Sequence, residues 1–321
     1  MTTAPIPYLE RNPPDPAPSA SAYFMRAAPI PRRGPMWVAL RAFLLGLAAS
    51  LLTGAASAGA LVEFPNVSEQ GPARLLGYLA RPDLGVAAVR GRRSNGGGPY
   101  AAVVVLHGCA GISSHSTGIA DQLASWGYVA LTVDSLGPRG INNHCGSSLS
   151  LGGSLDQAFD AYAALRYVSQ LDFVDPARVA VLGQSMGGSA VLYAVDRLLS
   201  AQYFKERFRA AIVYYPACGI AAAAIMTAPI LILIGEADDW NPAEPCRAVV
   251  ARSRPDSAPI ALTVYPGAYH GFDVRLLQPG VRYLGHWLEY NEPAAKDAEE
   301  KVRAFLAAHL GGTSPGEPTE R

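Results

Sequence analysis

The sequence has no excess of either charge. Its 26 basic residues match 26 acidic ones, and charged residues fill only 16% of its 321 positions. Five arginines (Arg11, Arg26, Arg32, Arg33, Arg41) lie in the first 58 residues, opposed only by Glu10 and Asp15. The remainder therefore holds 21 basic and 24 acidic residues. A nucleic-acid partner needs a basic face, and none is left, so that partner class is set aside. Cysteine is scarce as well. The four present, Cys109, Cys145, Cys218 and Cys246, show no C-x-x-C spacing, which argues against a zinc or dithiol redox motif. From Ala60 onward no linker, repeat or charge block marks a second domain.

The N-terminus lacks periodicity. Residues 1–35 are rich in proline and alanine, a composition expected to be disordered or to belong to an over-long gene model that should start at Met36. The apolar run from Ala42 to Leu52 is too short to span a bilayer comfortably. Basic residues precede it, and Ala56-Ser57-Ala58 follows as an A-x-A cleavage site. Residues 36–58 therefore read as a signal peptide. An exported domain, periplasmic or secreted, should begin at residue 59 and run to 321. The alternative is an uncleaved membrane anchor. No cysteine follows the run to carry a lipid.

What is present is a regular alternation. Apolar runs read as strands at Ala101–Leu106, Tyr128–Val133, Val179–Leu182, Ala210–Tyr214, Pro229–Ile234 and Ile260–Tyr265. Helical patterns fall between them at Gly118–Trp126, Ser154–Leu171 and Ser189–Leu199, with a last one at Ala294–Leu310. In the second of these, Leu155, Ala158, Phe159, Tyr162 and Leu165 share one face. Gly96–Gly98 reads as a surface turn. Strand–helix alternation of this kind gives an α/β fold with a mostly parallel central sheet and helices on both faces. Ligands then bind beyond the carboxyl ends of the strands.

The residues after the strands form a consistent set. Val179–Leu182 runs into Gly183-Gln184-Ser185-Met186-Gly187 and then a helix. A serine on a sharp, glycine-lined strand-to-helix turn is the nucleophile elbow pattern of the α/β-hydrolases. A serine hydroxyl is a weak nucleophile and needs a base, and the base needs a carboxylate to orient it. The base expected is His270, after the last strand. The acid lies in the turn Gly235-Glu236-Ala237-Asp238-Asp239, with Asp238 preferred and Asp239 the second choice. The oxyanion hole would use the backbone N–H of Met186 and of Cys109, the latter in the loop His107-Gly108-Cys109. The other histidines read otherwise. His115 and His144 read as loop residues, His286 as helical and His309 as a charge near a helix end.

Taken in order, "LHGCAG", "DSLGPRG", "GQSMGG", "LIGEADDWNPAEPC" and "YPGAYHGFD" resemble the dienelactone hydrolase family over about Leu61–Leu310. The resemblance implies an α/β-hydrolase fold with no large lid domain and no metal or organic cofactor. Its namesakes use a cysteine nucleophile where Ser185 stands, so a serine esterase of the same fold is expected. The resemblance also places Cys109 beside Cys145 and Cys218 beside Cys246, implying two disulfides. The expected function is cleavage of a small carboxylic ester or lactone through an acyl-enzyme. An acyltransferase would use the same residues, and an inactive binding module could share the scaffold. A haloalkane dehalogenase would need an aspartate at Ser185. Only Pro216–Ala228 separates two of the strands, too little for a large apolar cap. A shallow site for short acyl groups follows, unless the Gly140–Gly153 loop covers it.

Overall fold

The apolar runs become strands because they are buried on both faces. The computed structural model describes residues 59–69, 71–82, 99–146, 150–220 and 225–311. The leader segment and the Gly96–Gly98 turn lie outside the described residues. Eight strands form the main sheet: β1 (Ala60–Pro65), β2 (Arg74–Ala80), β3 (Tyr100–Leu106), β4 (Val129–Asp134), β5 (Val174–Gln184), β6 (Ala210–Tyr214), β7 (Ile230–Gly235) and β8 (Ile260–Tyr265). Their order is β1-β2-β4-β3-β5-β6-β7-β8. The pairs β1–β2 and β2–β4 are antiparallel, and every pair from β4–β3 to β7–β8 is parallel. Strands β6 and β7 are buried along their whole length, as expected of parallel strands covered on both sides.

Among the described residues, α-helices and a small hairpin pack around this sheet, with short 3-10 turns between them. In chain order come α1 (Ser114–Ser125), α2 (Ser150–Ser169), α3 (Met186–Val195), α4 (Arg197–Tyr203) and α5 (Glu244–Ala251), a hairpin of β9 (Val281–Tyr283) and β10 (His286–Leu288), and α6 (Glu292–Leu310). α1 packs on β2–β4, α2 and α3 on each other and on β3 and β5, and α6 on β5–β7. Register decides the function. Leu106 pairs with Val133 and Gly183, Gln184 with Tyr214, Tyr214 with Leu233, and Gly235 with Tyr265. Six strands thus end at nearly one level, and the loops that leave them are neighbours.

Several expectations need correction. The helix expected over Ser189–Leu199 is two helices. Asp196 is extended between them, and its Oδ1 accepts the Leu198 N–H at 2.9 Å, so it caps the second. In α2, Ala158, Tyr162 and Leu165 are buried, but Leu155 is 40% exposed, because the buried face runs through Ser154, Gln157, Ala158 and Ala161 and leaves Leu155 at its edge. His286 is on β10, not a helix, and His115 is in α1, not a loop. His309 is in the last turn of α6 as expected, where burial and nearby Arg209 hold its imidazole below the usual range and weaken its charge there. Ile260–Tyr265 is not the last strand. The β9–β10 hairpin follows it through a two-residue turn, Leu284-Gly285, with positive φ at both residues.

One buried ion pair braces the loop after β4. Arg139 donates to both carboxylate oxygens of Asp160 on α2, at 2.8 and 2.9 Å, and to the Ser135 carbonyl at 2.7 Å. The Asp160 side chain is fully buried. Removing one partner strands a buried charge, which costs about 3–5 kcal/mol. Asp160→Ala should therefore lower the unfolding free energy by about 3–5 kcal/mol in urea titration. An unchanged midpoint would show that the pair contributes nothing net.

Candidate active site

Ser185 sits at the turn between β5 and α3 with φ +51° and ψ −116°, a conformation that side-chain-bearing residues rarely adopt. Close packing holds it there. A Cβ on Gly183 would lie 2.2 Å from the Gly187 carbonyl oxygen, and one on Gly187 would lie 2.4 Å from the Leu106 oxygen. Neither position has room for any residue but glycine. The Ser185 N–H donates to the Tyr214 carbonyl at 2.9 Å, which ties the turn to the neighbouring strand.

His270 follows β8 and is buried. Its Nε2 lies 3.0 Å from Ser185 Oγ, and its Nδ1 lies 2.8 Å from Asp238 Oδ2. Asp238 is buried in the turn after β7. Its other oxygen accepts the N–H groups of Trp240 at 2.9 Å and Asn241 at 2.8 Å. Asp239, the second choice of acid, faces away. It accepts from the Trp287 N–H at 3.2 Å and lies 3.5 Å from His286 Nδ1, on the hairpin. The structure brings Ser185, His270 and Asp238 together and leaves Asp239 outside.

The loop after β3 reaches the same place. A Cβ on Gly108 would lie 3.7 Å from Ser185 Cβ, and the Cys109 carbonyl accepts the His144 N–H at 2.8 Å. Cys109 is bonded to Cys145, and Cys218 to Cys246. Met186, the other expected oxyanion donor, opens α3. His107 locks this loop, a function that the sequence reading did not assign to it. Its Nε2 accepts the Ser135 N–H at 3.2 Å, which puts the ring proton on Nδ1, 2.7 Å from the Gly108 carbonyl. Burial lowers the His107 pKa and keeps the ring neutral for this arrangement.

A cavity of about 200 Å³ opens over Ser185, lined by Gly108, Cys109, Cys145, Trp240, Tyr283 and Leu288 among others. A larger cleft of about 490 Å³, edged by Ser114 and Lys296, does not include Ser185. Trp240 forms one wall. Its ring is 5.2 Å from that of His270 and stacks on His286 at 4.8 Å. The cover comes from two segments rather than from the Gly140–Gly153 loop alone. The hairpin contributes Tyr283 and Leu288, and Asn143 Nδ2 donates to the Tyr283 hydroxyl at 3.3 Å across the mouth. Between β6 and β7 the described residues hold one short 3-10 turn, Cys218–Ile220. Among the described residues no group of three or more histidine, cysteine or acidic side chains could hold a metal ion. Nor is any helix among them long and apolar enough to cross a membrane.

Comparison with known proteins gives concordant results. The model of the dienelactone hydrolase family matches residues 86–310. A Bradyrhizobium protein named "Probable 2-oxo-3-(5-oxofuran-2-ylidene)propanoate lactonase" is 26% identical over 260 residues, covering 78% of this chain and 96% of its own length. A dienelactone hydrolase-like promiscuous phosphotriesterase from metagenomic libraries superposes with a TM-score of 0.62 at 20% identity, covering 79% of this chain and all of its own. Thermogutta terrifontis esterase 2, in a form phosphorylated by paraoxon, gives 0.57 at 16% identity, with 80% and 96% covered. At such identities these two structures share the fold.

The geometry separates the two aspartates experimentally. Asp238→Asn should remove the far-downfield proton resonance of a buried imidazole N–H bonded to a carboxylate. Asp239→Asn should leave it in place. Proton NMR of the two variants checks this, and the reverse pattern would assign the acid to Asp239.

Proposed function

The chain belongs to the dienelactone hydrolase family, and from that premise we propose that it opens small carboxylic esters or lactones through an acyl-enzyme on Ser185. Carboxylic ester hydrolysis is the reaction class that the family carries. The observation behind the acyl-enzyme route is the hydrogen-bonded line Ser185–His270–Asp238, at 3.0 and 2.8 Å.

With His270 neutral and its proton on Nδ1, that proton is donated to Asp238, and Nε2 is free to accept from Ser185. As Oγ attacks the carbonyl carbon, its proton moves to Nε2. The imidazolium formed faces the Asp238 carboxylate, which stabilises it without taking its proton. The carbonyl oxygen becomes an oxyanion beside the N–H groups of Met186 and Cys109, whose value is greatest when they are already in place. His107 and the Cys109–Cys145 bond hold the Cys109 loop in readiness. The carbon–oxygen ester bond then breaks, and the leaving oxygen takes the proton from Nε2. Water attacks the acyl-enzyme and gives a proton to the same nitrogen; the bond from the acyl carbon to Oγ then breaks, Oγ takes that proton back, and the acid leaves. In a lactone the alcohol stays tethered to that acid. A catalytically inactive scaffold would have no need of this hydrogen-bonded line. An acyltransferase would use the same line and differ in the acceptor that reaches it.

The two disulfides support export to an oxidising compartment, in keeping with the signal-peptide reading of residues 36–58.

Two outcomes are expected. Ser185→Ala and His270→Ala should each lower turnover by about 10⁴–10⁶-fold, and Ser185→Ala should abolish labelling by an active-serine phosphonate. Retained turnover or labelling would end the acyl-enzyme reading. The small cavity should also favour short acyl groups. In kcat/KM across aryl esters of graded chain length, the maximum should fall at the short end, without a jump at micelle formation. A maximum at the long end would contradict it.

A further inference from the structure

Behind the Ser185–His270–Asp238 line lies a second polar cluster that the chemistry above does not use. It joins four segments: His115 near the start of α1, Gln184 at the end of β5, Tyr215 just after β6, and Asp273 three residues beyond His270. Asp273 is the centre. The Tyr215 hydroxyl donates to its Oδ1 at 2.7 Å, and the Gln184 amide donates to its Oδ2 at 2.7 Å. His115 Nε2 lies 3.2 Å from the same Oδ2 and 2.7 Å from the Gln184 amide nitrogen. One nitrogen cannot serve both. Neutral His115 can accept the second amide proton of Gln184, and protonated His115 donates to Asp273 instead. In both states Asp273 keeps Gln184 and Tyr215. Burial pushes the Asp273 carboxyl up, but His115 and Tyr215 outweigh it and hold the carboxyl below the usual range.

Its two constant partners touch the reacting groups. Gln184 is joined to Ser185 by one peptide bond. The Tyr215 ring lies 4.6 Å from the ring of His270. Tyr215 has φ +39°, a conformation in which a bulky residue persists only when its surroundings over-determine it. Its N–H donates to Leu233 at 2.7 Å, and its carbonyl accepts from the side chain of Asn241 at 2.8 Å. Asn241 belongs to the turn that holds Asp238. Asp273 itself is not part of the lining of the Ser185 cavity. It borders the larger cleft instead, whereas His115, Gln184 and Tyr215 line the Ser185 cavity, so Asp273 reaches that cavity through them.

We propose that Asp273 is a positioning residue for the hydrolysis: its carboxylate fixes Gln184 and Tyr215, and through them the Ser185 hydroxyl and the His270 ring. This rests on the reading of Ser185 and His270 given above.

The test compares Asp273→Asn, Tyr215→Phe, their double variant and Ser185→Ala. Steady-state rates on a short aryl ester are normalised to phosphonate-titrated sites for the first three, and to folded protein concentration for Ser185→Ala, which has no serine to titrate. Asp273→Asn keeps the shape but leaves one oxygen where two accepted, turning an amide N–H₂ toward a donor. It should lower kcat about 10–100-fold, the scale of a misplaced reacting group, and leave KM within about threefold. Tyr215→Phe keeps the ring on His270 and should lose about 3–10-fold in kcat, less than a full misplacement. The double variant should be no worse than Asp273→Asn, because both changes act on one hydrogen bond. A purely structural role would lower the melting temperature and leave kcat per titrated site alone. That result overturns the proposal, as does a rise in KM at constant kcat, or full additivity. If Asp273→Asn does not fold, Tyr215→Phe decides, and an unchanged kcat overturns the proposal. Activity surviving in Ser185→Ala would instead locate the fault in the Ser185 reading.

Discussion

The molecule depends on the register of its parallel ladder. Hydrogen bonding between β3, β5, β6, β7 and β8 leaves no freedom to slide, because a one-residue slip would turn every buried side chain to the opposite face. Leu106, Gln184, Tyr214, Gly235 and Tyr265 therefore end their strands side by side. Residues from Gly108 to His270, more than half the sequence apart from one another in places, become neighbours without any one loop being long. The hydrogen bonds of 3.0 and 2.8 Å at His270 are consequences of that alignment as much as of the residues that make them.

The ladder also carries local strain at its functional edge. Ser185 and Tyr215 both hold positive φ, directly after β5 and β6, and the Ser185 N–H is bonded to the carbonyl of Tyr214. Strain of about 1–3 kcal/mol at each such residue is tolerable only in a rigid frame. The frame here is a core of fully buried valine, isoleucine, leucine and alanine, braced at the loops by two disulfides and the Arg139–Asp160 pair. The disulfide at Cys109 matters beyond stability, since it fastens a loop that lines the Ser185 cavity.

The sequence disclosed the features that depend on local pattern. Buried strands appear as unbroken apolar runs, and the elbow appears as glycines spaced around Ser185. Chain order set aside His107, His115 and His144, which precede the elbow, and the place directly after the strand Ile260–Tyr265 singled out His270 from His286 and His309. What escaped was of two kinds. The β9–β10 hairpin has three-residue strands and places Leu284 at positive φ, where asparagine or glycine would have announced a turn. Asp196 looked like a helix residue because its role as a cap depends on the backbone breaking there. The cluster of His115, Gln184, Tyr215 and Asp273, and the lock at His107, are contacts between segments distant in sequence. No periodicity records such contacts. The choice between Asp238 and Asp239 likewise needed the position of the hairpin, which draws Asp239 toward His286 and Trp287.

The hairpin has a consequence for how this site can diverge. His270 and Leu288 form an isolated parallel bridge, so one rim of the cavity and the imidazole share a backbone contact. Among the described residues, the other rim, around Cys145, meets the hairpin through the Asn143–Tyr283 hydrogen bond and through Gly146, which lies against the Leu284 side chain. Backbone and side chains of the two rims therefore differ in evolvability. Substitutions at side chains such as Asn143 can reshape the mouth alone, whereas those that displace β10 also displace the histidine, and those that displace Cys145 release the Cys109 loop. Variation in substrate range among descendants of this architecture should accumulate at such side chains, between two backbone segments that the reaction itself holds in place.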